Sequence, residues 1–88
     1  MAVYVDDLAY LKNGRLWYHM AADTLDALHG MADNIGLERR WFQNKNPKFP
    51  HYDITESKRR LALQHGAIAI TGREMVMWNR DRLDKELL

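Results

Sequence analysis

The chain of 88 residues has no cysteine, one serine and two prolines, and each scarcity removes something. Without cysteine there is no disulfide to brace a small core, and no thiolate to hold zinc or act as a nucleophile. The one serine, Ser57, sits in no nucleophile elbow, and no glycine-rich loop is present to cradle phosphate. Pro47 and Pro50 fall close together and mark residues 44–50 as a loop between regular segments. No apolar run approaches the length that spans a bilayer, and Met1 to Asp7 carry no basic, apolar leader. A cytoplasmic chain without a membrane partner is the expectation.

Hydrophobic residues at 47% and charged residues at 28% describe an ordinary folded domain rather than a disordered chain. The length allows one domain over residues 1–88. A net charge of +1 argues against a strongly basic nucleic-acid binder, although nucleic acid stays among the candidate partners. The distribution says more than the total. Residues 1–37 carry a net charge of −3, residues 38–60 a net of +4, and the remainder is balanced.

Residues 2–6 alternate as a short strand does. Asn13-Gly14 is a two-residue hairpin signal joining residues 8–12 to residues 15–20. Asp23 or Thr24 caps a helix whose buried face reads Leu25, Leu28, Ala32 and Ile35, and Gly36 ends it. Residues 37–43 read as a strand from their aromatic end. Asp53 and Glu56 have capping-box spacing for a second helix, with Thr55 as a rival cap, and Gly66 stops it. Residues 67–71 make another strand, and residues 73–87 a last helix carrying Val76, Leu83 and Leu87. Strands alternating with helices give a small single α/β domain: about four short strands, mixed or mostly parallel, packed with three helices.

Several segments carry a family resemblance: Val3-Tyr4-Val5-Asp6, Ala22-Asp23-Thr24, Arg40-Trp41-Phe42-Gln43, His51-Tyr52-Asp53-Ile54-Thr55 and Ser57-Lys58-Arg59. Over roughly residues 2–70 the chain resembles a family of small bacterial and phage proteins known as a domain of unknown function. The resemblance implies a single domain and brings no activity, cofactor or catalytic residue with it.

Three functional readings follow from the residues. In the first, Arg39, Arg40, Gln43, His51, Tyr52, Asp53, Lys58 and Arg59 gather at a helix start. There they bind an anionic, phosphate-bearing or nucleotide-like small molecule. Arg40, His51 and Lys58 are its centre. In the second, Asp6, His19, Asp23 and Asp53 hold Mg²⁺ or Mn²⁺ for a phosphohydrolase or nuclease. In the third, the domain is a protein-interaction adaptor. The surplus of Met75, Met77, Trp78 and Leu88 on the last helix either packs internally or forms a homodimer contact. His29 and His65 read as structural.

Overall fold

A computed structural model describes residues 2–86. Leu87 and Leu88 lie outside the described residues. The chain runs β1 Val3–Val5, β2 Tyr10–Lys12, β3 Arg15–Ala22, α1 Leu25–Asn34, a 3₁₀ turn Arg39–Trp41, β4 Phe42–Gln43, β5 His51–Ile54, α2 Glu56–Gln64, β6 Ile68–Ala69 and α3 Gly72–Glu86. The mixed sheet with three α-helices is the expected α/β class. No helix among the described residues is long and apolar enough to cross a membrane.

Local stereochemistry sets most of the turning points. Asn13 at φ 53° and Gly14 at φ 74° occupy the left-handed region at both central positions, which is the hairpin turn that matches strand twist. The Thr24 hydroxyl accepts from Ala27 N–H and caps α1, while Asp23 stays outside the helix. Thr55, not Asp53, caps α2 by accepting from Lys58 N–H. Asp53 belongs to β5 instead. The Thr71 hydroxyl accepts from Glu74 N–H at 3.0 Å while the Glu74 carboxylate accepts from Thr71 N–H at 2.9 Å, a reciprocal box that starts α3.

The strands lie in the order β4-β5-β3-β1-β6, with β2 also pairing β3. Among the described residues β1 with β6 is the one parallel pairing, and the others are antiparallel. The expected strand over residues 37–43 is mostly the 3₁₀ turn, and only Phe42 and Gln43 reach the sheet. Alternation divides the sheet into two faces. Val3, Val5, Met20, Tyr52 and Ile54 face Leu28, Met31, Ala32 and Ile35 of α1 and Ala62 of α2, and these form the core. Leu25, expected in that face, is half exposed, and Met31 takes its place. On the other face stand Tyr4, His19, His51 and Asp53. Trp78 of α3 packs on Tyr4 at 5.2 Å between ring centroids. Met75 rather than Val76 is the buried apolar residue of α3, so Trp78 and Met75 pack internally while Val76 and Met77 remain exposed.

One irregularity matters for the site. Val5 pairs with Met20, but Tyr10 pairs with Trp17. Five positions along one strand therefore face three along the other, and the two extra residues bulge out between β1 and β2. Asp6 lies at the start of that bulge.

Candidate functional site

Asp6 is the one buried charged side chain among the described residues, 2% exposed, and the broken ladder explains its position. Asp6 N–H donates to the His19 carbonyl at 3.1 Å, as a regular antiparallel pair would. The return bond is different: His19 N–H donates to the Asp6 carboxylate (Oδ1, 2.9 Å) rather than to the Asp6 carbonyl. That carbonyl accepts instead from Arg59 Nε at 2.8 Å. The bulge thus turns a backbone acceptor outward and puts a carboxylate in its place.

The second carboxylate oxygen of Asp6 lies 2.9 Å from His19 Nδ1. A carboxylate only accepts, so Nδ1 carries the proton and His19 Nε2 keeps its lone pair. His51 is built the same way. Its Nδ1 lies 2.8 Å from the Phe49 carbonyl, another pure acceptor, and its Nε2 is likewise bare in the neutral ring. Strand register then brings the two rings together. His19 is directly opposite Asp53 on β5, and His51 lies two residues before Asp53 on the same face. His19, His51 and Asp53 offer ligand atoms that all lie within 4.8 Å of one another.

Asp53 Oδ1 is buried and has no hydrogen-bond partner. The nearest ring nitrogen, His51 Nε2, is 3.2 Å away. With Nδ1 turned to the Phe49 carbonyl, Nε2 of a neutral His51 has no proton to offer the carboxylate beside it, and the two groups make no hydrogen bond. Such an arrangement needs a positive centre between the two atoms, either a second proton or a metal ion.

The surroundings are aromatic. Tyr10 stacks on His19 at 5.3 Å, Phe49 stacks on His51 at 4.5 Å, and the two imidazoles meet edge to face at 5.2 Å. Burial, together with the Asp53 and Asp6 carboxylates, pushes the Tyr10 phenol upward, so it stays a neutral donor. The hydrogen bond to Asp6 raises the His19 pKa against the opposing effect of burial. Burial alone would raise Asp53, but a second proton on His51, the Tyr10 hydroxyl and the charge of a protonated His19 outweigh it and lower the carboxyl.

Asp53 also lines a groove of about 540 Å³. The hairpin contributes Lys12, Arg15 and Trp17; Arg40, Trp41 and Gln43 come from the 3₁₀ turn and β4, and Lys58 from α2. Four cations line this groove, and Asp53 is the only carboxylate among its lining residues.

The residues expected to form one anion site are divided by this geometry. Arg40, Gln43, Asp53 and Lys58 share the groove, whereas His51 belongs with His19. Arg40 is also paired with Glu38 at 2.8 Å, and Lys58 Nζ donates to the Ile35 carbonyl at the end of α1. Arg39 reaches Asp33 at 4.0 Å, away from the groove. Tyr52 is fully buried with its hydroxyl on His29 Nδ1, so it is core. Arg59 is held by the Asp6 carbonyl and lies over the Tyr18 ring. Of the expected metal set, His19 and Asp53 meet, and Asp6 supports His19 from behind. Asp23 is elsewhere, accepting from Ala2 N–H and Trp78 Nε1. The residue pattern alone groups His51 with the anion site and does not single out Lys12, Arg15 and Trp17. The Asn13-Gly14 turn was their only signal, because it brings both ends of a hairpin to one place.

A model of the family described as protein of unknown function (DUF4031) matches residues 3–82, which carries the likeness past Thr71 and through most of α3. No curated protein and no solved structure matches the chain.

Proposed function

The chain belongs to this family of proteins of unknown function, so its site must speak for the activity, and we propose a divalent-metal-dependent phosphoester hydrolase. The observation that carries the reading is the orphaned Asp53 Oδ1 facing two imidazoles whose Nδ1 atoms are both tied to acceptors. Two imidazole nitrogens and one carboxylate suit Mn²⁺, Fe²⁺ or Zn²⁺ better than Mg²⁺, which prefers oxygen. The chemistry such an ion supplies is activation of a water and neutralisation of a phosphoryl oxygen.

The chain's own residues do the rest. Asp6 and the Phe49 carbonyl fix both ring tautomers and orientations, as outer partners of ligating histidines do. Tyr10 and Phe49 shield the imidazoles from water. The cations of the adjoining groove attract an anion and hold it beside Asp53.

Equilibrium dialysis against Mn²⁺ or Zn²⁺ with elemental analysis tests the first half. One ion per chain is expected, with His19→Ala and Asp53→Ala each losing it. Hydrolysis of bis(p-nitrophenyl) phosphate by the loaded protein tests the second, with activity abolished by a chelator and restored by the metal. Stoichiometric binding that survives both substitutions, or no binding at micromolar metal, overturns the proposal.

A further inference from the structure

The hairpin β2–β3 carries two exposed cations, Lys12 and Arg15. Among the described residues, no hydrogen bond or ion pair engages the Lys12 or Arg15 side chain. Both line the groove that Asp53 also lines. The other two cations of the groove are committed, Arg40 to Glu38 and Lys58 to the Ile35 carbonyl. Two tryptophans line the same groove from separate elements. Trp17 is half-buried, with its Nε1 tied to the Lys12 carbonyl, which fixes the ring in the hairpin. Trp41 is 44% exposed, and Arg40 lies over its ring at 5.9 Å.

Free cations alone describe a phosphate site. A large aromatic left 44% exposed, beside a guanidinium and in a cavity of about 540 Å³, adds a second requirement: a flat, apolar partner. We infer that the groove binds a nucleotide, with its phosphate on Lys12 and Arg15 and its base stacked on Trp41. The inference deepens the hydrolase reading by naming the substrate class. It stands on groove residues that the metal does not need.

Base stacking on one aromatic ring is worth about tenfold in affinity, and phosphate contacts make binding depend on salt. Calorimetric titration with adenosine 5′-monophosphate, ribose 5-phosphate and adenosine, with and without metal, separates these contributions. The nucleotide is expected to bind about tenfold tighter than the sugar phosphate, in both metal states. Trp41→Ala should bring the nucleotide down to the level of the sugar phosphate. Lys12→Ala with Arg15→Ala should weaken both phosphates about tenfold or more, flatten the salt dependence and leave adenosine unchanged. Equal affinity for nucleotide and sugar phosphate with a silent Trp41→Ala overturns the inference, as does no binding of either phosphate at millimolar concentration. Nucleotide binding by a protein that takes up no metal would retain this inference and sink the hydrolase. Metal uptake without nucleotide binding would do the reverse.

Discussion

Asp6 is where a single side chain sets the chemistry of its neighbour. Its carboxylate satisfies both a ladder N–H and the Nδ1–H of His19. Asp6→Ala leaves two part-buried donors without an acceptor and should cost about 1–3 kcal/mol of stability, read by urea unfolding. Asp6→Asn keeps an acceptor for His19 N–H but can turn an amide donor toward Nδ1. The ring then shifts its proton to Nε2, the atom needed for a metal. A much smaller stability loss with a 10–100-fold loss of metal affinity is the expected result, and ¹⁵N shifts of His19 report the tautomer. Equal metal affinity in Asp6→Asn and the parent chain would remove Asp6 from the positioning role. His29 carries the clearest pH dependence away from this cluster. Burial, and then the Arg39 charge, lower its pKa below the unfolded value. Its contribution to stability is therefore present above pH ~6.5 and is lost as pH falls through the depressed folded value. Urea melts at pH 7.5 and 5.5 should show a smaller acid loss in His29→Gln than in the parent chain.

At the scale of elements, capping geometry ranks the helices. The Thr71 box is reciprocal with both bonds near 3.0 Å, whereas Thr55 reaches Lys58 N–H at 3.4 Å. Thr71→Ala should cost about 1–2 kcal/mol, and Thr55→Ala about 0.5–1 kcal/mol. Asp53→Asn, which removes no cap, should cost less than Thr71→Ala while abolishing metal binding. The reverse ranking in urea melts would mean that Asp53 caps α2 in solution. The start of α3 also depends on close approach. A Cβ on Gly72 would meet the Leu8 Cβ at 2.6 Å, an atom fixed to the backbone that cannot swing aside. Asp7 holds the same place by accepting from Gly72 N–H at 2.9 Å. Gly72→Ala should therefore destabilise by about 1–3 kcal/mol. The loss would come from pushing α3 away from the segment that also carries Asp6.

At the scale of the whole molecule, His19 and the His51–Asp53 pair come from neighbouring central strands, so an ion held as proposed would tie the middle of the sheet together. Metal at 100 times its dissociation constant stabilises the folded state by about 2.7 kcal/mol. In a domain of this size that corresponds to roughly 10–20 °C in melting temperature. Calorimetry should show that rise with Mn²⁺ or Zn²⁺, its reversal by chelator, and its absence in Asp53→Ala. Much of the frame behind this site was legible in the chain itself. The Asn13-Gly14 hairpin, the Thr24 cap and the glycines at 36 and 66 that end α1 and α2 are choices of backbone stereochemistry made within a few residues. The α/β class and the structural role of His29 followed from pattern and side-chain chemistry. The sequence misled where two local signals competed. Asp53 and Glu56 have the spacing of a capping box, yet Thr55 stands closer to the helix and leaves Asp53 free for the sheet. The aromatic run ending in Phe42 favours a strand, but the chain must first turn through Arg39–Trp41 to enter at the sheet edge. The site itself had no local signature. The residues proposed to hold a metal lie at 19, 51 and 53, with Asp6 behind them, and the β3–β5 register and the two-residue bulge bring them together. Helix caps and turns are settled by neighbours along the chain and can be read from it. A cluster assembled across paired strands depends on long-range register, which the burial of Tyr52, Ile54, Met20 and Val5 on the opposite face fixes for the whole sheet at once.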